Sequence, residues 1–204
     1  MDERLLPAVK LMMQRRGYEI PDNKNDLRDE LRKLGKNSPR IMESFISTKV
    51  DKRMIIYFAD NGTSNSISKE ETKILGLLMI RLEIFNAILI SEIPLSPKAK
   101  QEIEGLKIIT FLDEDLLYDP TDSVFSSELI SIGGREYIPE KNVHDSQLAR
   151  LETEDIIAKY YGIEAGMIVT YKRQNIISET LVNEEIFPRF TSTRPLDKGK
   201  TIKK

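Results

Sequence analysis

The chain has no cysteine and a single histidine, His144. The missing thiols exclude disulfides, thiolate catalysis and a cysteine zinc site, and are compatible with a reducing compartment. His144 has neither a cysteine partner nor an evident metal set, so a surface or interface role is expected rather than a general base. Neither sign of charge dominates: 31 Lys and Arg stand against 33 Asp and Glu, a formal net charge of −2. No global field draws the chain to nucleic acid or membrane, so any nucleic-acid contact must be local. Long apolar runs are also missing. The longest, near Ile74 to Ile90, is broken by Arg81, Glu83 and Asn86. No transmembrane helix and no signal-peptide core are expected. The chain carries no GxxxxGK[ST] phosphate loop, no nucleophile elbow and no visible internal repeat.

What remains is a 204-residue chain, 40% hydrophobic and 31% charged, the balance of a soluble globular protein of one or two domains. A chain of this size can bury roughly 70% of the surface its unfolded form exposes. Leu5, Leu6, Val9, Met12 and Met13 form a helical stripe closed by Gly17, and Leu27, Leu31 and Leu34 mark a second helix closed by Gly35. Met42 to Thr48 reads as a strand. Met54 to Ala59 reads as a buried strand ended by Asp60-Asn61-Gly62. Ser68 and Glu71 have capping-box spacing ahead of an apolar helix face at Ile74, Leu75, Leu78, Met79 and Leu82. Ala87 to Ile93 is a further strand. Ser96 caps another helix with Pro97 at its first position, Gly105 ends it, and Leu106 to Leu112 is the next strand. Strand–helix–strand–helix–strand with short connections predicts a small, mainly parallel sheet with right-handed crossovers. Residues 1–115 are therefore expected to form an α/β domain. The acidic, turn-rich stretch from Asp113 to Asp122 is expected to be the junction. A small α+β domain is expected over 116–190, including a strand at Leu129 to Ile132, and a disordered basic tail over 191–204.

The most informative stretch runs from Asp145 to Arg173. Leu148 and Leu151 form an apolar anchor. Thr153 or Asp155 can cap a helix whose Ile156, Ile157 and Tyr160 recur at helical spacing. Gly162 stands where a left-handed residue would end that helix, Ile163 to Gly166 is a turn, and Met167 to Tyr171 has the β-branched and aromatic character of a strand. Tyr160 and Tyr161 point about 100° apart on a helix, so they cannot form one flat stacking platform. One is expected in the core and the other facing a partner. Glu152, Glu154, Asp155 and Glu164 form an acidic cluster, read as helix capping, as an interface for a basic patch, or as both.

Ser146-Gln147-Leu148-Ala149-Arg150-Leu151, Asp155-Ile156, Tyr160-Tyr161-Gly162 and Gly166-Met167-Ile168-Val169 stand in one ungapped run. This run resembles the assembly domain of the fifth shared subunit of eukaryotic nuclear RNA polymerases and of its archaeal counterpart. Ala149 and Ile156 replace two prolines of that family. A first helix leading into Arg16-Gly17-Tyr18 is a smaller match in the expected place. The family's Ser-Glu-Thr turn stands here as Ser178-Glu179-Thr180, about three residues late, and Leu181 to Phe190 replaces the usual ending. Either the strands are longer or that match is fortuitous.

The resemblance implies a restriction-endonuclease-like first domain and a non-catalytic polymerase subunit in transcription. It implies docking on the largest subunit and contact with other polymerase subunits through Asp145, Ser146, Gln147, Leu148, Arg150, Asp155, Tyr160, Tyr161, Gly162, Gly166 and Arg173. It places Ser96, Pro97, Lys98 and Lys100 on the side facing downstream duplex DNA; the alternative for this segment is a capped helix with a solvated lysine face. No cofactor, no metal, no membrane contact and no obligate homo-oligomer are expected. Localisation is expected to be nuclear if the protein is cellular, or in the virion or host cytoplasm or nucleus if it is viral; the drift suggests a large DNA virus or a divergent eukaryote. Nuclease activity is not expected. Pro21-Asp22 and Asp22-Asn23-Lys24 fall in one polar loop, and the predicted strands carry no acidic-x-lysine triplet to hold a metal. The alternative is a free-standing α/β protein, an adaptor that binds a regulator or an enzyme with its own pocket.

Overall fold

The computed structural model describes residues 2–20, 25–60, 62–120, 128–133, 148–177 and 180–192, with side chains over 2–20, 27–60, 62–120 and 148–169. The chain divides into two compact units, 1–118 and 119–204.

The first unit is an α/β domain on a four-stranded mixed sheet. Its elements are α1 (Leu5–Arg15), α2 (Asn25–Lys33), a 3-10 turn (Ile41–Glu43), β1 (Phe45–Lys49), β2 (Lys52–Phe58), α3 (Lys69–Leu82), β3 (Asn86–Ser91), α4 (Pro97–Ile103), β4 (Lys107–Leu112) and α5 (Asp113–Leu117). The strand order is β1-β2-β3-β4. β2, β3 and β4 are parallel and β1 is antiparallel to β2, across a hairpin in which Lys49 faces Lys52. A two-residue hairpin can only reverse the chain, so this pair is antiparallel, while the helical crossovers make the others parallel.

Alternation along the strands sorts the core into two layers. Ile55, Tyr57, Ala59, Ala87 and Leu89 join Leu27 and Leu31 of α2, Leu75, Leu78 and Met79 of α3, and Ala99 of α4 in one buried cluster. Consecutive parallel strands lying side by side, with right-handed crossovers, place both crossover helices on the same face. The opposite face presents buried Phe45, Ile56, Phe58, Ile88, Ile90 and Phe111. Helix α1, which packs on α5, buries Leu5, Val9, Met12 and Met13. Each fully buried side chain of this size contributes about 1.5–3 kcal/mol.

The expected helix signals operate at several ends. Gly17, Gly35 and Gly105 take φ of 75°, 73° and 83°, the left-handed region that favours glycine. The Ser68 Oγ accepts the Glu71 N–H at 3.3 Å. The second half of the expected capping box does not form. The Glu71 carboxylate turns inward, where it accepts the Tyr57 hydroxyl at 2.5 Å and pairs with Lys36. Its place on the apolar side of α3, four residues before Leu75, carries it into the core. Burial first, and then the Glu71 carboxylate, push the Tyr57 hydroxyl far above the ordinary phenol range, so it stays a neutral donor.

The acidic stretch expected to be a junction begins instead as α5. The Asp115 carboxylate accepts the Leu112 N–H at 2.8 Å, and Leu116 is buried. Asp113 is held by Arg40 in a two-pronged ion pair, Nη1 to Oδ2 at 2.7 Å and Nη2 to Oδ1 at 2.6 Å. The Arg40 Nε donates to the Ala59 carbonyl at 2.7 Å. One guanidinium thus joins the 3-10 turn, the end of β2 and the segment after β4. The break between units follows α5.

In the second unit the strand order is β5 (Glu128–Gly133), β7 (Ile168–Ile177), β8 (Thr180–Ser192), β6 (Ala149–Glu152), with α6 (Ile156–Tyr161) beside it in sequence. β8 is antiparallel to β7 and parallel to β6. The hairpin strands are long, 10 residues in β7 and 13 in β8; Ser178 and Glu179, between them, lie outside the described residues. Pro188 lies in β8 just before Arg189, where pairing with β6 begins, so its missing N–H removes no bond of that second ladder. β8 extends past Phe190 to Ser192; residues 193–204, for which a disordered tail is expected, lie outside the described residues.

The Arg40–Asp113 side chains are only 10% and 14% exposed. Arg40→Met is expected to leave Asp113 unpaired and to cost about 2–3 kcal/mol, below the full figure for a buried pair because water still reaches both groups. Urea unfolding of the full chain measures it; a loss under about 0.5 kcal/mol, the scale of an exposed pair, contradicts the clamp.

Candidate functional site

In the second unit the local physics of the sequence is realised over Leu148 to Val169. The Asp155 carboxylate accepts the Ile157 N–H at 2.8 Å and caps α6. Gly162 closes it at φ 67°, with Gly162 N–H donating to the Lys159 carbonyl at 3.1 Å and Ile163 N–H to the Ala158 carbonyl at 2.9 Å. This double bond pattern satisfies carbonyls that a helix end otherwise leaves open. Gly166 takes φ 91° in the turn that leads to β7. Leu151, Ala158, Ile163 and Val169 form the core, with Ile157, Tyr161 and Met167 packed on it. Leu148 is also buried.

The two tyrosines meet edge to face, with centroids 5.4 Å apart and planes at 80°. Tyr160 is buried, as one of the pair is expected to be. Tyr161 is half-buried against the core rather than turned wholly outward, because its ring covers the same small cluster. Arg150 is exposed on β6, and Asp155 is exposed at the cap. Glu154 pairs with Lys159 at 2.8 Å, while Glu152 and Glu164 are exposed. Arg173 lies on β7 opposite Glu185 in the backbone register. Asp145, Ser146, Gln147 and His144 lie outside the described residues. The predicted set Leu148, Arg150, Asp155, Tyr160, Tyr161, Gly162 and Gly166 thus falls on one strand, helix and turn. Only some of these residues offer side chains outward; Leu148 and Tyr160 hold the unit together.

In the first unit, Ser96 caps α4, its Oγ accepting the Ala99 N–H at 3.2 Å, with Pro97 in the first turn and Ala99 buried. Lys98 and Lys100 are exposed. Lys69 of α3 reaches Glu102 of α4 at 2.9 Å. Two backbone bonds tie this segment to the loop before α3: Ile67 N–H to the Pro94 carbonyl at 3.1 Å, and Ser96 N–H to the Ile67 carbonyl at 3.0 Å. Nearby in sequence, Asp60 is held below the usual carboxylate range by the Ser38 hydroxyl and the Gly62 N–H, with the charges of Arg40 and Lys36 adding to the effect.

The loop pairing was not legible in the sequence, since nothing local to Ile67 or Pro94 signals the other. Glu71 left a signal: an acid at core spacing on an amphipathic helix calls for a buried partner. Among the described residues no three His, Cys, Asp or Glu side chains converge on a metal-sized site, and no helix is long and apolar enough to cross a membrane. The strands β1 to β4 carry no acidic residue. Pro21-Asp22 and Lys24 lie outside the described residues. No family model matches the chain.

Asp155→Ala removes the α6 cap and is expected to cost about 1 kcal/mol. Gly162→Ala forces a Cβ into the left-handed region and is expected to cost about 1 kcal/mol. Thermal unfolding checks both; unchanged transitions contradict the helix boundaries. Because the Asp60 pKa is lowered in the fold, its contribution is fully present above its unfolded value of about 3.9 and is lost as pH falls through the folded value. Asp60→Asn should therefore flatten the loss of stability below that pH, and an acid titration with the same slope as the parent refutes this.

Proposed function

We propose that the chain is a non-catalytic subunit of a multisubunit DNA-directed RNA polymerase. Its second unit docks on the largest subunit, and its first unit, restriction-endonuclease-like in topology, forms part of the jaw near downstream DNA. The observation that carries this reading is the placing of the ungapped run. Asp155 is the helix cap, Gly162 the left-handed helix end, Gly166 the turn, and Ile168 the first residue of β7. The residues that carry the resemblance are those that set the backbone of the unit, which supports the reading. The two absent prolines fit too: Ala149 opens β6 and Ile156 opens α6, positions that need extended or helical backbone but no special chemistry. Nucleotide chemistry and its magnesium belong, in this reading, to the two largest subunits.

A second reading has one observation in its favour. The exposed large apolar residues of the described chain, among them Ile80 at 71% and Phe85 at 70%, lie in the first unit. Exposed apolar surface of this kind suits an adaptor for another protein.

Tagged full-length chain, expressed in its native host and purified at moderate salt, is expected to recover the two largest polymerase subunits, and Arg150→Glu to reduce that recovery without lowering the unfolding temperature. Recovery of other proteins in the consistent absence of the large subunits overturns the polymerase reading in favour of the adaptor.

A further inference from the structure

We infer that the outer face of α3 over residues 76–82, with Phe85 and Leu106 beyond it, is a docking groove for an acidic amphipathic helix of another protein. The inference uses only the architecture of the first unit. It stands or falls apart from the polymerase reading, since a subunit and a free adaptor can each carry such a groove.

The groove follows from a mismatch of lengths. Helices α3 and α4 start at one end of the sheet, where Ile67 bridges Leu95, and both run back along the same face. α3 has 14 residues and α4 has 7, about 21 and 10 Å of helix. α4 therefore stops about level with Gly76, and Glu104, Gly105 and Leu106, all exposed, carry the chain on to β4. The second half of α3 has this single run of backbone beside it where the first half has a helix. A Cβ built on Gly76 would meet nothing within 4 Å, so a second helix can come close there. Leu77 and Ile80 are exposed on this half of α3. The pairing of Asn86 with Lys107 sets Phe85 and Leu106, both exposed, side by side just past it. With Val50 in the β1–β2 turn, these are five of the seven large apolar side chains exposed among the described residues. Apolar surface gathered at one end of a sheet in this way marks a protein contact.

Three observations choose the occupant. The first is charge. At this end of the sheet Lys49, Lys52, Arg53, Arg81 and Lys107 stand against Asp51, Glu83 and Glu104, and Lys73 adds a sixth cation one turn before Leu77. Arg81 also reaches Glu30 of α2 at 3.3 Å, which leaves five cations to three anions. In a chain whose acids outnumber its bases, that local excess complements an acidic partner. The second is the backbone of β4, the edge strand. Its Ile108 N–H is taken by the Leu106 carbonyl at 2.9 Å and its Leu112 N–H by the Asp115 carboxylate at 2.8 Å, which leaves little for an added strand. A helix satisfies its own backbone and needs only the apolar stripe. The third sets aside a second copy. Two α3 helices crossing antiparallel at Leu77 would place Lys73 against Arg81 twice, like charge on like.

The test selects phage-displayed peptides about four turns long, randomised without charge bias, on the full chain. Counter-selection uses Ile80→Ser with Phe85→Ser, two exposed positions whose change is expected to leave the unfolding temperature unaltered. Enriched peptides are expected to carry apolar residues at helical spacing and more Asp and Glu than Lys and Arg. A synthetic copy of the most enriched peptide is expected to bind the double variant at least tenfold more weakly, and Leu11→Ser, an exposed apolar change on α1, as well as the parent. Lys73→Glu with Lys107→Glu is expected to weaken that peptide about tenfold at low salt, with the loss shrinking as salt rises. No enrichment over the double variant, enriched peptides that are basic or lack a helical period, or an equal loss at Leu11→Ser overturns the inference. Sedimentation of the full chain as a dimer that Ile80→Ser with Phe85→Ser dissolves overturns it in favour of a second copy. Pelleting with phosphatidylcholine–phosphatidylserine vesicles, lost in the same variant, overturns it in favour of a lipid surface.

Discussion

Parallel pairing of β2, β3 and β4 is the constraint on which the first unit depends. Parallel strands cannot be joined by tight turns, so helices α3 and α4 must cross back over one face, and α1 and α5 are left for the other. Their interior face is apolar in every strand, which is what a sheet covered on both sides requires. The same constraint gathers the loops after β2, β3 and β4 at one end. There Arg40 holds the end of β2 and the start of α5 together, and Ile67 is bonded across to Pro94 and Ser96. Several polar loops are joined into one surface at that end, and it carries the exposed lysines of α4.

Much of this was legible in the sequence because the signals are local. The run Met54 to Ala59 is continuous and apolar, so it reads as a buried strand, and it lies within two residues of β2. Ser96-Pro97 at a helix start and Gly162 at a helix end act through a few adjacent atoms, and both hold their expected places. Two things were hidden, for one common reason. The partners of Glu71 (Tyr57 and Lys36) and the α5 helix with its Arg40 partner depend on residues far apart in the chain. Asp113 and Arg40 are 73 positions apart, and an acidic run with a proline after it reads as a linker until the guanidinium is in view. β6 reads only as an apolar anchor, because a four-residue strand shows two periods of alternation at most.

The second unit makes a different point about where function is written. Its small core is built by residues that a reader of motifs would take for contacts. Leu148 and Tyr160 are inside, Gly162 and Gly166 bend the backbone, and Asp155 is spent on a helix cap. The side chains that face outward over the same stretch are Arg150, Glu152 and Glu164, with Tyr161 half covered. A partner would therefore recognise the shape that the motif builds, together with these few polar groups, more than the motif residues themselves.

The central claim is that this chain works as part of a transcribing machine and not alone. Sedimentation of a native-host extract, with nucleotide incorporation and this chain followed in every fraction, tests it most directly. The account predicts that the chain and DNA-templated RNA synthesis run together in a high-mass peak, and that removing the chain with an antibody to it removes the activity. A chain that sediments at its own mass, with RNA synthesis in separate fractions untouched by its removal, contradicts the account.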